Sequence, residues 1–175
     1  ASAQCPVVVL DRELEAPFVS TVLIDNEDSA FRAGEYINSL NLKRVACLVG
    51  KGFDGERRMA GFRQAVETFG LDCPSGWCIE GDWQEETAYH RTAEFIKGGN
   101  RPEVVFAFND EMAIGCIRAL QELKLRVPED ISVIGVDDIE KSAVMTPRLT
   151  TVHRPLCELG EIAAQTLLGM MKGEE

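Results

Sequence analysis

The chain has 175 residues, of which 45% are hydrophobic and 27% charged, a composition that predicts a globular domain with a substantial core. Its net charge of −11 argues against a grip on nucleic acid by this chain alone, because DNA affinity depends on Lys and Arg contacts to phosphate. No apolar run approaches the roughly 20 residues that a membrane-spanning helix needs, so we expect no membrane partner.

Strands and helices are predicted to alternate along the chain. Short β-branched, apolar runs predict strands at residues 7–10, 21–24, 45–49, 77–79, 104–108, 132–136 and 150–153. Apolar residues at helical spacing predict helices at 30–40, 55–69, 85–97 and 111–123, and a final helix between Pro155 and Gly173. This alternation is typical of an α/β fold with doubly wound parallel sheets, which is the fold class we predict.

Polar residues directly follow several of the predicted strands, and ligands of such folds bind at the carboxyl ends of the strands. Asp and Asn at these positions are also common helix caps. Asp110 stands immediately before a clean helix pattern, so we predict that it is a cap. Asn109 and Asp137 precede the capping position, and we predict that they contact a ligand.

Two further features allow either a functional or a structural interpretation. Arg57 and Arg58 open the predicted helix 55–69, where positive charge is disfavoured, so they either hold a hydroxyl or acidic group or form a solvated surface pair. Trp83 follows Gly81-Asp82 in a strand-to-helix loop. It either packs partly buried or offers a stacking surface to a flat ligand or sugar face, and the residues alone leave both choices open.

The sequence carries no pattern that predicts catalysis, a metal or a cofactor. The six cysteines lack CxxC or Cys/His spacing, so a zinc site is not expected. A nucleophile elbow and a nucleotide-binding loop are also missing, which leaves a metal-using enzyme built on the Asp-rich strand ends as a remote alternative. Cys73 and Cys78 flank a Pro-Ser-Gly turn and are placed to pair, although thiols in a chain of this kind are usually reduced.

Three segments together resemble the effector-binding domain of LacI/GalR-type transcriptional repressors. They are FNDEMAIG at 108–115, RVPEDISVIGVDD at 126–138 and PRLTTV at 147–152, and RMAGF at 58–62 agrees in order and spacing. The resemblance covers essentially the whole chain. It implies the type I periplasmic-binding-protein fold, in which two similar lobes hold a ligand in the cleft between them.

The resemblance also implies a division of the chain between these lobes. Residues 43–152 are expected to form the C-terminal lobe, and residues 1–42 with 153–175 are expected to form part of the N-terminal lobe. The helix-turn-helix DNA-binding head, the hinge and the first half of the N-terminal lobe are expected to lie outside this chain, as are the last strands of the family. We therefore expect a domain that is truncated at both ends.

Several positions match those at which the family contacts its effector. The match implies a sugar-like site, with an apolar plate for the ring face and bidentate groups for adjacent hydroxyls. A purine or a sugar phosphate is also compatible with it. The positions are Arg58, Trp83, Asn109 and Asp137, with Phe53 and Asp54 as weaker candidates.

The function that the resemblance implies is allosteric control of operator binding by a small metabolite. Such a protein would be cytoplasmic and would act as a homodimer or a dimer of dimers, reading DNA only through the head. Met112, Val144 and Met145 stand where the family places its dimer interface. The alternative from a different class is a periplasmic solute-binding protein that delivers its ligand to a transporter.

Overall fold

The computed structural model describes residues 5–173, which form two compact units. The central unit runs from Asn26 to His153, and the terminal unit combines the described residues up to Asp25 with those from Arg154 onwards. The strands are β1 (Val7–Leu10), β2 (Val19–Val22), β3 (Val45–Val49), β4 (Cys78–Glu80), β5 (Val104–Ala107), β6 (Ser132–Asp137) and β7 (Thr150–His153). The helices are α1 (Asn26–Ser39), α2 (Phe53–Phe69), α3 (Glu85–Lys97), α4 (Asp110–Glu122), α5 (Glu140–Val144) and α6 (Leu156–Lys172).

The central unit is built on a five-stranded parallel sheet in the order β4-β3-β5-β6-β7. The chain leaves β3 through α2 to β4 and then crosses back over β3 to β5. Because such crossovers are right-handed, α2 lies on one face of the sheet, and α3 and α4 lie on the other. Helix α1 packs on α2, and α3 packs on α4. The predicted α/β class with a doubly wound parallel sheet is confirmed.

The core of the central unit lies between the sheet and its helices. Strands β3 and β5 contribute side chains that are almost completely buried, as expected for inner parallel strands that are apolar on both faces. Phe106 on β5 packs its ring 5.4 Å from that of Phe62 on α2 and 5.4 Å from that of Phe108. This aromatic row holds α2 against the sheet directly beneath the edge where β3 and β5 end.

The terminal unit contains the parallel pair β1 and β2, in register from Val7 opposite Val19 to Leu10 opposite Val22. Helix α6 packs on both strands. Asp11, at the end of β1, pairs with Arg154 and accepts a 3.4 Å hydrogen bond from the Ile24 amide. Among residues 5–173, no helix is long and apolar enough to cross a membrane.

Several elements differ from the sequence prediction by one or two residues at an end, and three differ more. Helix α1 begins at Asn26 instead of residue 30, because Glu27 and Asp28 form an acidic first turn that suits a helix amino terminus but carries no apolar periodicity. Strand β2 is Val19–Val22 instead of 21–24. Helix α5 was missed because five residues are too few to show a helical repeat.

The compact central unit also begins earlier than the predicted lobe boundary at residues 42 and 43. Helix α1, which the sequence analysis grouped with the N-terminal lobe, packs on α2 inside this unit. The assignment of the units to lobes of a larger effector domain stays a prediction.

Candidate functional site

The carboxyl edge of the central sheet brings together side chains from three strand ends and from helix α2. The chain reverses its direction of winding between β3 and β5, and in open α/β sheets this switch point opens a crevice for ligands. Four of the predicted site residues meet here in one connected cluster. They are Arg58 on α2, Trp83 after β4, Asn109 after β5 and Asp137 at the end of β6.

Arg58 is the centre of this cluster and is only 2% exposed. Its Nε donates a 2.8 Å hydrogen bond to Oδ1 of Asn26, one terminal nitrogen donates to the Phe108 carbonyl, and Nη2 lies 3.4 Å from Oδ1 of Asp137. A buried guanidinium is tolerated only when its donors are paired in this way. The solvated-pair interpretation is therefore wrong for Arg58.

Arg57, its neighbour in the chain, lies at the surface and pairs with Glu27. Its Nη1 lies 2.7 Å from Oε1 of Glu27, and the two side chains are 44% and 43% exposed. Its guanidinium also lies 5.2 Å from the centroid of the Phe53 ring, which is itself exposed. Phe53 thus stands beside Arg57 rather than in the Arg58 cluster.

Trp83 lies over the Arg58 guanidinium, with 5.5 Å between Cζ and the ring centroid. Its indole N–H donates a 2.9 Å hydrogen bond to the Lys51 carbonyl, in the loop after β3. The ring rests on Gly50 so closely that a Cβ added at Gly50 would overlap it. Trp83 has φ 60° and follows Asp82 at φ 52°, so two residues with side chains occupy the left-handed region to aim the indole at this edge.

Asn109 takes the capping role that the sequence predicted for Asp110. Asn109 is the cap of α4, since its Oδ1 accepts a 2.9 Å hydrogen bond from the Met112 amide. Its Nδ2 donates to the Trp83 carbonyl at 3.2 Å, which ties the β5 end to the Trp83 loop. The amide retains one further N–H for a ligand, so that predicted contact stays open.

Asp110 is fully buried and does not cap the helix. Its Oδ2 accepts from the Ser142 hydroxyl at 2.7 Å and the Ile139 amide at 3.0 Å, and its Oδ1 accepts from the Thr151 hydroxyl at 2.6 Å. Burial raises the pKa of Asp110, against the three donors that favour its ionised form. This carboxyl group fastens the segment after β6 to α4.

Asp137 ends β6 in a strained turn that Asp110 helps to hold. Asp137 has φ 121° and Asp138 has φ 57°, both in the region that favours glycine. The Asp138 amide donates to Thr151 at 3.2 Å, and the Asp138 carboxylate lies 2.8 Å from Nδ1 of His153. The turn leaves Asp137 partly exposed at the crevice while one oxygen remains close to Arg58.

Asn26 is a site residue that the sequence reasoning did not select. It is buried, it accepts from Arg58, and its Nδ2 donates to Oδ1 of Asp54 at 3.1 Å. Asp54 is thereby linked through Asn26 to the Arg58 cluster. The only signal in the sequence was the polar pair Asp25-Asn26 after an apolar run, which looks the same as an ordinary cap.

The three residues predicted for a dimer interface lie in different environments. Val144, at the end of α5, is 80% exposed, and Met145 next to it is partly buried against the core. Met112 is 0% exposed because its side chain points from α4 into the core, where it fills the space that a Cβ on Gly81 would need. Met112 is therefore not on a surface, and its predicted interface role is wrong.

Comparisons with known proteins agree with this architecture. The model of the periplasmic binding protein-like domain matches residues 35–175. The chain is 36% identical over 166 residues to the HTH-type transcriptional repressor PurR of Salmonella arizonae, a match that covers 93% of this chain and 49% of that repressor. The chain thus spans about half the length of the curated relatives that it matches.

Solved structures give the same result. A LacI family transcriptional regulator from Enterococcus faecium with bound ribose is 30% identical with a TM-score of 0.85, over 95% of this chain and 62% of that one. The lac repressor dimer bound to operator and an anti-inducer is 28% identical with a TM-score of 0.84, over 98% of this chain and 60% of that one. The chain therefore belongs to the periplasmic binding protein-like domain family, and the solved structures that it resembles include regulators of the LacI family.

Proposed function

We propose that this chain is the effector-binding part of a transcriptional regulator and that its ligand contacts the Arg58 cluster. The observation that carries the proposal is the convergence of Arg58, Trp83, Asn109 and Asp137 at the switch point of the sheet. A structural ion pair needs no indole and no strained turn at the same place. Strain of this kind is found where a site must be held ready for a ligand.

The chemistry of the cluster favours an uncharged polyhydroxyl ligand. The Arg58 guanidinium is already engaged by Asn26, the Phe108 carbonyl and Asp137, so it offers little to an anionic group. Asp137 and Asp54 add carboxylates that accept hydrogen bonds from hydroxyls and repel phosphate. Trp83 supplies an apolar face for a sugar ring. These features support a sugar above a sugar phosphate, and ribose is bound in one of the related structures.

The proposed mechanism is allosteric, without a chemical step. A ligand can shift a regulator between two arrangements only by its difference in affinity for them. We propose that ligand binding changes the affinity of a cytoplasmic homodimer for operator DNA, which is held by a part of the protein outside this chain. The related lac repressor was solved as a dimer bound to operator and an anti-inducer, which supports a dimer that binds both DNA and a small molecule. The relatives are repressors, which favours a regulator over a transporter's solute-binding protein and over an enzyme.

A thermal-shift screen of the full-length protein tests the ligand proposal. Pentoses, hexoses, their phosphates, nucleosides and purines are the compounds, and we expect a rise in Tm with one class of uncharged sugars. Titration calorimetry should then give an affinity that falls about 10-fold or more in Asp137→Asn, because a hydrogen bond to a charged group is lost. Glu67→Gln, on the exposed end of α2, is the matched control and should bind normally.

Two outcomes would contradict the proposal. A sugar phosphate that binds more tightly than its parent sugar would show that the cluster receives anions. A ligand whose affinity is the same in Asp137→Asn and in the wild type would place the binding site elsewhere.

A further inference from the structure

Three cysteines meet on the sheet beside its β4 edge, away from the Arg58 cluster. Cys47 on β3 stands directly opposite Cys78 on β4 in the parallel register, so both side chains project from the same face of the sheet. The Cys73 thiol interacts with the thiols of both. All three cysteines are free thiols in the structure.

The path of the chain explains why Cys73 and Cys78 approach each other. Asp72 is bridged to Arg44 and Cys78 is opposite Cys47, so the segment 72–78 advances six residues while β3 advances three. The extra length is taken up by a 3-10 turn at Ser75–Trp77, which shortens the path between the two cysteines. The Trp77 ring packs edge-on against Phe95, 5.7 Å between centroids, and this contact holds the turn.

We propose that Cys73 and Cys78 are a site of reversible oxidation that forms an intrachain disulfide in the folded protein. The oxidant is a hydroperoxide or a small-molecule disulfide. With a hydroperoxide, one thiol gives up its proton and attacks the O–O bond, so that sulfur becomes a sulfenic acid and the reduced oxidant leaves as water or an alcohol. The second thiol then displaces water to form the S–S bond, so the two sulfurs have together given two electrons to the hydroperoxide. With a small-molecule disulfide, the first thiolate displaces one thiol to form a mixed disulfide, and the second thiol displaces the other.

Exposure assigns the order of the two steps. Cys78 is exposed, Cys73 is partly buried and Cys47 is completely buried. The oxidant therefore reaches Cys78 first, and Cys73 resolves the sulfenic acid because it lies next to Cys78 and closer to the surface than Cys47. Cys47 fills the core behind them and takes no part.

Hydrogen bonds between the thiols affect the rate of oxidation, because they raise the pKa of Cys73 and of Cys78. The hydrogen bond to Cys47 is the main cause that raises the pKa of Cys73 to about 12, and the hydrogen bond to Cys73 likewise raises the pKa of Cys78. Since the thiolate is the nucleophile, oxidation should be slow at neutral pH and accelerate by up to about 10-fold per pH unit above it.

Peptide mapping of the full-length protein tests the proposal. The protein is treated with hydrogen peroxide or oxidised glutathione under native conditions, and its remaining thiols are then blocked. No Lys or Arg lies between Arg63 and Arg91, so trypsin leaves both cysteines in one peptide, which should become lighter by two hydrogen atoms. Chymotrypsin cuts after Trp77 and should leave the two halves joined until a reductant is added.

Variants separate this pair from other thiols. Cys73→Ser and Cys78→Ser should abolish the linked peptide, whereas Cys47→Ala and Cys157→Ser should retain it, with folding of each variant checked by circular dichroism. A disulfide that includes Cys47, or oxidation confined to the exposed Cys5 and Cys157 with peptide 64–91 unmodified, would overturn the proposal.

Discussion

Arg58 and Asp137 lie 79 positions apart in the chain, on α2 and at the end of β6, yet Nη2 of the arginine is 3.4 Å from Oδ1 of the aspartate. The arginine is almost fully buried, and the aspartate reaches the surface of the crevice. The pair therefore connects the interior of the central unit to the place where we propose that a ligand binds.

Adjacent arginines on α2 should respond very differently to the same substitution. Arg58→Ala leaves the buried oxygens of Asn26 and Phe108 without their donor, so we expect the free energy of unfolding to fall by about 3–5 kcal/mol. Arg57→Ala removes surface contacts, among them the pair with Glu27 and the stacking on Phe53, and should cost less than about 1 kcal/mol. Urea denaturation of both variants measures the difference, and equal losses would contradict the burial of Arg58.

The contact between Gly50 and Trp83 predicts that one methyl group disturbs the site. In Gly50→Ala the new Cβ overlaps the indole ring, so Trp83 must move and the unfolding free energy should fall by about 1–3 kcal/mol. Trp77→Phe leaves Trp83 as the one tryptophan of the chain. When Gly50→Ala is added to this variant, the emission spectrum of Trp83 should shift. Gly76→Ala is the control, because no atom lies within 4 Å of its added Cβ. An unchanged emission spectrum in Gly50→Ala would mean that the indole does not rest on this glycine.

The buried carboxyl group of Asp110 should make stability depend on pH. Burial raises its pKa in the folded state above the ordinary 3.8, so the folded protein binds the proton more tightly than the unfolded chain. The stabilisation from this group is therefore complete below pH 3.8 and declines as pH rises through the folded pKa.

Asp110→Asn removes this titration, so the substitution should cost more stability at pH 4 than at pH 7. Urea denaturation at the two pH values gives the comparison. Glu111→Gln is the control, because it makes the same change from carboxyl to amide on an exposed neighbour. A cost that grows with pH would show that the three hydrogen-bond donors outweigh the effect of burial.

Val144 should matter for assembly and not for folding. The side chain is 80% exposed, so Val144→Glu is expected to change the unfolding free energy by less than about 0.5 kcal/mol. If this residue lies in the proposed dimer interface, a buried unpaired charge there should raise the dissociation constant about 10-fold or more. Analytical ultracentrifugation of the full-length protein measures the mass of the assembly. Val144→Ile is the control and should remain dimeric, because it keeps the side chain apolar. A dimer of normal affinity in Val144→Glu would remove this residue from the interface.

Sequence patterns predicted the elements well where local rules decide them. Strand β3 and helix α3 have the predicted bounds, because a buried apolar run and a clean helical repeat leave no competing choice. Strand β7 also has its predicted bounds, although its four residues are exposed or only partly buried. Helix α5 was missed because five residues are too few to show a helical repeat, and its contact with Asp110 comes from a residue far away in the chain.

The site was harder to predict than the fold, because its roles depend on contacts between distant residues. Arg57 and Arg58 are the same residue type in the same helical turn, and only their direction relative to the sheet separates a surface pair from a buried centre. Asn109 and Asp110 are likewise neighbours, and the cap went to the residue one place earlier than predicted. The role of Asn26 follows from a partner 32 positions away, which no local pattern encodes.

Three hydrogen-bond partners of Arg58 lie 32, 50 and 79 positions away in the chain. Contacts of such long range require the chain to close large loops, which costs conformational entropy. A molecule that recognises this cluster therefore binds only where these loops have closed. It would stabilise the folded domain by mass action, so its binding would report that the distant segments have come together.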